Sequence, residues 1–278
     1  MWPYLIDGEP VPASVRVVLL VDLAGPDCGM AAGTAMDAAE FARLRLGFEP
    51  DERQAEALRC GAKRGILNCS RQWGKSMTAA AMAVYRAVTR PRSVVVVAGP
   101  SRRQSGELVL KAREMAEFGG VKVRGDGRNA GSLVFPNGSR IIALPGRPET
   151  IRGFAASLIL LDEAAYMDDR MYEALRPMLA ATKGDVWMMS TPNGKQGFFY
   201  RTWEHGGDRW HRVRGPATES AHLDKAFLEE EREELGAVRF PQEYLCEFTE
   251  AEGAMFEKAV IDRAIVARAT GLKLKEGV

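Results

Sequence analysis

The segment NCSRQWGKS, residues 68–76, ends like the phosphate-binding loop G-x-x-x-x-G-K-[ST]. Gly74, Lys75 and Ser76 supply its second half, but Cys69 stands where the first glycine is expected. Backbone N–H groups at a helix N-terminus can cradle phosphate oxygens. Lys75 would then reach the β- and γ-phosphates, and Ser76 would ligate Mg²⁺. The tripeptide alone is better explained by a glycine at a tight turn followed by a surface lysine, so its context must decide.

Two carboxylates supply that context. The segment LILLDE, residues 158–163, is an apolar run that ends in Asp162 and Glu163. A buried strand with carboxylates at its C-terminal end is expected in an ATPase site. Asp162 would hold Mg²⁺ directly or through water, and Glu163 would orient and deprotonate the attacking water. The alternative is an acidic pair that caps the next helix, which the upstream loop makes less attractive.

A third segment, MMSTPNG at 188–194, places two hydroxyls after another apolar run. Ser190 and Thr191 could sense the γ-phosphate if this strand lies near the carboxylates. Simple turn chemistry accounts better for the Pro-Asn-Gly that follows. The arginine of the loop, Arg71, could pair with phosphate or with Glu163. The segment SRRQS at 101–105 could contact DNA phosphates, but an exposed helix start is preferred.

Composition sets limits on the class of protein. The chain has 278 residues, 46% of them hydrophobic and 27% charged, with a net charge of +1. It is therefore no bulk polycation, and a nucleic acid would need a local basic patch. Four cysteines without C-x-x-C spacing argue against a zinc site and fit reduced thiols of the cytosol. The apolar run Val15–Ala24 is too short to span a bilayer and is predicted to be a buried strand.

Strands and helices alternate along most of the chain. Helices are expected from about Met36, from about Asp51, after Lys75, over Arg102–Phe118 and from Asp169 to about Ala181, and the charged C-terminal part is also expected to be helical. Apolar runs predict strands at 64–69, 93–99, 157–163 and 185–192, with a hairpin over 132–145 around Asn137–Gly138. This alternation predicts an α/β fold with a mainly parallel sheet.

Together, CSRQWGKS, TIRGF…LILLDEAAYM and STPNGKQGFFY resemble the ATPase domain of the large terminase subunit of tailed bacteriophages. In that family the loop commonly reads S-R-Q-x-G-K-[ST], so the missing glycine is a family feature. The resemblance extends over about residues 36–258. The segment LGFEPDERQ resembles the family's adenine-binding segment and implies that Gln54 reads the adenine edge. The usual aromatic residue before that glutamine is Arg53 here.

The resemblance implies a P-loop NTPase fold of the RecA-like (ASCE) type with ATP and Mg²⁺ as cofactors. It implies an N-terminal extension (1–33), an ATPase core (34–215) and a small helical subdomain or linker (216–278). Implied ligands of the metal are Ser76 and Asp162, and implied catalytic residues are Glu163, Lys75, Arg71 and Arg152, the last acting on a neighbouring subunit's ATP or else forming a local salt bridge. The implied nucleotide-binding residues are Gln54, Ser70, Arg71, Gln72, Trp73, Gly74, Lys75, Ser76, Met77, Ser190 and Thr191.

The family's function is expected to be the packaging of double-stranded DNA into a procapsid. Implied partners are the DNA, the portal protein, the small terminase subunit and further copies in a ring, but no membrane. The expected location is the host cytoplasm, transiently docked at the procapsid portal. The family's nuclease domain is predicted to be absent from this chain, since the last residues hold one aspartate, Asp262, and no strand with a catalytic carboxylate.

Two other functions are weighed against this one. A helicase-like translocase needs a second RecA-like domain, for which too few residues follow Thr191. A non-hydrolysing nucleotide-binding module, such as a remnant of a defective prophage, is disfavoured by the intact Lys75, Asp162 and Glu163.

Overall fold

The computed structural model describes residues 36–125, 127, 131–144, 155–220 and 223–250, together with the backbone of 5–6 and 9–10. Three features of the sequence fall outside these residues: the strand predicted at Val15–Ala24, Arg152 and Asp262. Within the described part, none of the helices has the length and apolar character needed to cross a bilayer.

Seven strands form one sheet, and a separate two-stranded ribbon precedes it. The ribbon consists of β1 (Leu5–Ile6) and β2 (Glu9–Pro10), and the sheet consists of β3 (Arg64–Cys69), β4 (Val94–Ala98), β5 (Ser132–Val134), β6 (Arg140–Ala143), β7 (Leu158–Asp162), β8 (Asp185–Ser190) and β9 (His211–Gly215). The order in the sheet is β5-β6-β4-β7-β8-β3-β9. Among the seven strands of this sheet, only β5 and β6 pair antiparallel, as the predicted hairpin requires. The predicted α/β fold with a mainly parallel sheet is confirmed.

Helices cover both faces of this sheet. They are α1 (Ala38–Leu46), α2 (Glu52–Arg59), α3 (Lys75–Thr89), α4 (Arg102–Phe118), α5 (Asp169–Leu175), α6 (Gly197–His205) and α7 (Lys225–Tyr244). The first four pack on one face, and α5 and α6 pack on the other. The central strands are buried from both sides, which explains their continuous apolar sequences. Because parallel strands end at one edge, the segments after β3, β7 and β8 are brought together.

Three elements differ from the sequence-based expectation. The helix predicted over 169–181 ends at Leu175 and continues as a 3₁₀ segment, Arg176–Leu179, since Pro177 lacks an N–H. Strand β9 was not predicted, and it extends the sheet by pairing with β3. The C-terminal helix α7 is kinked at Gly236, whose φ of 68° is not helical. Near this helix Leu228, Phe240 and Tyr244 form a small separate core with Ala217.

Candidate functional site

The phosphate loop lies between the end of β3 and the start of α3, as predicted. Gly74 begins the helix with φ of 91°, a left-handed conformation that favours glycine. A Cβ at this position would also lie 2.7 Å from Nε2 of Gln54. Gln72, which is exposed, also has a positive φ of 58°. The loop therefore turns sharply just before the first helical N–H groups, those of Lys75 and Ser76, which have no partners within the helix. The N–H of Met77 donates to the carbonyl of Gly74 at 3.0 Å.

Gln54 holds this loop from the side. Its Oε1 accepts a hydrogen bond from the N–H of Asp51 at 2.9 Å, which completes a capping box at the start of α2. Its Nε2 donates to the carbonyl of Trp73 at 2.7 Å. One N–H of the amide remains for another acceptor, so the adenine-reading role stays a prediction. The contacts show a second role, which is to fix the loop against α2.

Trp73 is a buried anchor of the loop. Its side chain is 4% exposed and lies against Gly215, where an added Cβ would be 2.3 Å from the indole nitrogen. The N–H of Ser70 donates to the carbonyl of Gly215 at 2.9 Å. The hydroxyl of Ser70 is buried without a hydrogen-bond partner among the described residues. The indole thus faces β9 and the protein interior, which leaves the main chain of Trp73 for any contact with a nucleotide.

Two oxygen atoms that could ligate a metal lie close together, one at the start of α3 and the other at the end of β7. The hydroxyl of Ser76 lies 3.4 Å from Oδ2 of Asp162, which ends β7. Asp162 is 5% exposed. Burial raises the pKa of Asp162 to about 6, and the charge of Glu163 adds to this while Lys75 and Lys111 oppose it. Hydroxyl and carboxylate oxygens are donors that Mg²⁺ prefers, and a buried carboxylate is stabilised by a cation. The pair therefore fits the magnesium that the sequence predicts.

Glu163 is held at both carboxylate oxygens. Oε1 lies 3.3 Å from Nζ of Lys75, and Oε2 accepts from the hydroxyl of Ser190 at 3.4 Å. The backbone of Glu163 is left-handed, with φ of 51° and ψ of 44°, which is unusual for a glutamate. Conformations of this kind are often found at functional sites. The neighbouring Thr191 contacts the hydroxyl of Tyr166 at 3.5 Å.

The structure thus brings together the side chains that the sequence predicts from three separate segments. Lys75 and Ser76 start α3, Asp162 ends β7, Glu163 follows it directly, and Ser190 ends β8. Met77 is half-buried and packs against the core on the α3 side of the sheet. The roles of these residues stay predictions.

Arg71 pairs with a residue that the sequence did not indicate. Its Nε donates to Oε2 of Glu243 at 2.7 Å and its Nη2 to Oε1 at 3.3 Å. The backbone N–H of Arg71 also donates to the carbonyl of Glu243 at 2.9 Å. Arg71 therefore pairs with Glu243 and not with Glu163, which binds Lys75. The contact of Arg71 with phosphate stays a prediction. A contact over 172 residues leaves no local signal in the sequence.

The end of α7 and the residues after it touch the site at further points. The amide of Asn68, in β3, donates to the carbonyl of Cys246 at 2.9 Å. The N–H of Gly194, after β8, donates to the side chain of Gln242 at 3.1 Å. The C-terminal end of α7 is thus bonded both to the phosphate-loop strand and to the segment that follows Ser190 and Thr191.

A separate cavity lies away from the phosphate loop. It has a volume of about 780 Å³ between α1, α2 and α3, and it is lined by residues such as Phe41, Tyr85 and Trp187. None of the predicted nucleotide-binding or catalytic residues lines it. The predicted site residues of the described chain meet at the phosphate loop instead.

Comparison with known proteins agrees with this geometry. The model of the family "Terminase large subunit, T4likevirus-type, N-terminal" matches residues 66–262. The terminase large subunit of Thermus virus P23-45 is 29% identical, with 76% of this chain and 51% of that protein covered. The terminase large subunit of Escherichia phage T5 is 25% identical, with 70% of this chain and 46% of that protein covered. The chain thus spans about half the length of the curated relatives it matches.

Solved structures show the same fold. The large terminase ATPase domain of Thermus phage P74-26 superposes with a TM-score of 0.69 at 23% identity, covering 77% of this chain and all of that one. The large terminase of a thermophilic bacteriophage in complex with ADP gives a TM-score of 0.65 at 16% identity, over 76% of this chain and 57% of that one. The predicted P-loop NTPase fold of the RecA-like type is confirmed, and the separate helical subdomain stays a prediction.

Proposed function

Because the chain belongs to the terminase large subunit family, we propose that it hydrolyses ATP to drive double-stranded DNA into a procapsid. The observation that carries the proposal is the contact of Lys75 with Glu163, 3.3 Å apart, beside the contact of Ser76 with Asp162 at 3.4 Å. This arrangement supports Lys75 as the phosphate-binding cation, Glu163 as the general base and Ser76 with Asp162 as the metal site. The ADP and ATP-γ-S complexes of related large terminases support a nucleotide as the ligand.

Each residue of the site would have its own role in ATP hydrolysis. Ser76 and Asp162 would hold Mg²⁺, which when bound neutralises charge on the phosphate oxygens. The γ-phosphate offers Lys75 a second anion, so that Lys75 can leave Glu163. Glu163 then accepts a proton from the attacking water, and Ser190 keeps the carboxylate in place through its other oxygen. Arg152 would act on the nucleotide of a neighbouring subunit.

The proposal includes the surroundings of the motor. Further copies would form a ring at the portal, together with the small terminase subunit, in the cytoplasm of the host. We expect no DNA cleavage by this chain itself. Nicking of plasmid DNA in Mn²⁺ by the pure protein, abolished by a chelator, would contradict that expectation.

The test is steady-state ATP turnover with and without duplex DNA, measured over a range of protein concentrations. We expect turnover that requires Mg²⁺, rises with protein concentration and is stimulated by DNA. A protein that binds ATP but never hydrolyses it, with or without DNA, would instead be a nucleotide-binding module. Turnover without any response to duplex DNA would contradict the translocating part of the proposal.

A further inference from the structure

A second concave surface lies on the sheet face opposite the phosphate-loop helix. It is a cavity of about 360 Å³ between α5, α6 and the start of β3. We use the name basic concavity for the surface formed by Arg64, Arg176, Arg201 and Arg209, which line it together with His205. None of these residues belongs to the candidate ATPase site.

The positive charge of this surface is only partly neutralised. Two carboxylates also line the cavity, Asp169 and Glu173. Asp169 is engaged, because one oxygen accepts the N–H of Phe198 at 2.8 Å and the other binds Arg201 at 2.7 Å. In the part of the chain that the structure describes, Arg64, Arg176 and Arg209 have no carboxylate within 4.0 Å. Three guanidinium groups therefore face one free carboxylate, that of the exposed Glu173.

An aromatic platform holds two of these arginines. Tyr172 stacks on Phe198 with ring centroids 4.8 Å apart. The guanidinium of Arg176 lies 5.8 Å from the centre of the Tyr172 ring, and that of Arg64 lies 5.9 Å from the Trp210 ring. Such cation–π contacts restrict the side chains and keep their charge.

Hydrogen bonds connect β9 with α6 and with the turn between them. Arg212 donates to the carbonyls of Trp203 at 2.7 Å and of Gly207 at 3.1 Å, which fixes the turn that carries Arg209. Burial raises the pKa of the Tyr172 hydroxyl, and Arg176, Arg64 and Arg209 all oppose that rise. Arg64, Arg176 and Arg209 thus line one cavity from different elements of the fold.

We propose that the basic concavity binds the phosphates of a duplex DNA backbone, an inference that rests on the proposed DNA-translocating function. Arginine binds phosphate through its planar fork of N–H donors, and several arginines can follow successive phosphates. A free nucleotide fits less well, because Phe198 and Arg176 already occupy the ring of Tyr172. The contacts would be independent of DNA sequence, as a motor that moves along DNA requires.

The test compares two double variants that remove the same charge. Arg176→Gln with Arg209→Gln changes the basic concavity. Arg43→Gln with Arg113→Gln changes α1 and α4, which pack on the other face of the sheet. Binding of a short labelled duplex is measured by fluorescence anisotropy between about 50 and 200 mM salt. Each lost phosphate contact lowers the slope of log K against log salt by about 0.9.

In the concavity variant, we expect the magnitude of the slope of log K against log salt to fall by about 2. Its DNA affinity near 100 mM salt should fall roughly ten- to a hundred-fold. The matched variant should stay close to wild type in both. Unchanged binding in the concavity variant, or equal losses in both variants, overturns the inference. Unchanged binding would mean that the surface serves another partner, such as an acidic protein segment. Equal losses would mean that only the net charge of the protein matters.

ATP turnover without DNA separates this inference from the proposed function. The concavity variant should retain wild-type turnover and thermal stability, because its residues do not touch the ATPase site. A wild-type protein that hydrolyses ATP but does not bind DNA would contradict the inference and leave the proposed ATPase activity standing. A DNA-binding protein without ATP turnover, whose binding depends on Arg176 and Arg209, would retain the surface and end the ATPase proposal.

Discussion

Nζ of Lys75 lies 3.3 Å from Oε1 of Glu163, so the lysine proposed to bind phosphate and the proposed general base neutralise each other. The two residues come from different segments, one at the start of α3 and the other after β7. Both side chains are largely shielded from water, with 11% and 26% of their surface exposed. A phosphate that competes for Lys75 would therefore also release Glu163 for proton transfer, which links nucleotide binding to activation of the base.

Glu163→Gln should separate binding from hydrolysis. The amide cannot accept the proton, and a positioned general base contributes about 10²–10⁴-fold to the rate. We expect turnover to fall by that factor while Mg·ATP binding is retained, since Lys75 no longer has a carboxylate to leave. Equilibrium binding and single-turnover hydrolysis measure the two effects. Glu173→Gln on α5 is the matched control and should behave like wild type without DNA. If turnover fell only a few-fold, Glu163 would not be the general base and would only cap the short 3₁₀ helix that follows it.

Lys75→Ala should instead weaken binding and hydrolysis together. A charge-assisted hydrogen bond contributes about 1.5–3 kcal/mol, which corresponds to roughly ten- to a hundred-fold in ATP affinity. Lys225→Ala, at the exposed start of α7, removes the same charge away from the site. Titration with ATP by calorimetry should show the loss in the first variant alone. Wild-type ATP affinity in Lys75→Ala would remove the phosphate-loop interpretation.

The parts of this site that follow strong local patterns were predictable from the sequence. The apolar runs of β3, β7 and β8 fix which residues stand at the C-terminal edge of a parallel sheet, and this brings Lys75, Asp162 and Ser190 together. The hairpin of β5 and β6 and the start of α2 at Asp51 are likewise set by turn and cap residues.

The missed features depend on contacts between distant residues. β9, with the sequence HRVRG, lacks the apolar run of a central strand and is defined by its pairing with β3. The burial of Trp73 follows from the absence of a side chain at Gly215, which is close only in the folded chain. Arg71 and Glu243 meet for the same reason, since their charges indicate possible partners but not which one is chosen.

Gly215→Ala should disturb the phosphate loop from outside. The new methyl group would lie 2.3 Å from the indole nitrogen of Trp73, so the loop anchor must shift. Overpacking of this kind typically costs about 1–3 kcal/mol, and we expect weaker ATP binding as well. Gly106→Ala in α4 is the control, because a Cβ there meets nothing within 4 Å; it should be neutral or slightly stabilising. Urea denaturation and ATP titration of both variants test this. Equal stability and affinity in the two would show that Trp73 does not anchor the loop.

Arg152 is predicted to act on the nucleotide of a neighbouring subunit. Arg152→Ala and Glu163→Gln proteins should then each be nearly inactive alone, since such arginines contribute about 10³–10⁵-fold to the rate. In a mixture, Glu163→Gln subunits can lend Arg152 to neighbours that retain the base. Some ATP turnover should return and rise with total protein. Co-assembled subunits that stay as inactive as the separate variants would place Arg152 in its own subunit.

Arg71→Ala should destabilise the protein mainly because it leaves the buried charge of Glu243 without a partner, and less because apolar contact area is lost. The carboxylate of Glu243 is 6% exposed and accepts both side-chain hydrogen bonds of Arg71, whereas the arginine itself is 58% exposed. Removing one partner of a fully buried ion pair costs about 3–5 kcal/mol, but the exposure of Arg71 lowers the expected loss to about 1–3 kcal/mol. The melting temperature should fall by roughly 2–4 °C per kcal/mol.

The double variant Arg71→Ala with Glu243→Gln decides the cause of that loss. Its neutral amide needs no cation, so it should be more stable than Arg71→Ala alone, with a coupling of about 1 kcal/mol in the double-mutant cycle. Additive effects within about 0.3–0.5 kcal/mol would show that the ion pair does not matter for stability. ATP turnover supplies the second readout. If Arg71 only ties the loop to α7, turnover should recover along with stability. If it also contacts phosphate during hydrolysis, the double variant should be stable and still slow, because Glu243→Gln cannot replace the lost guanidinium.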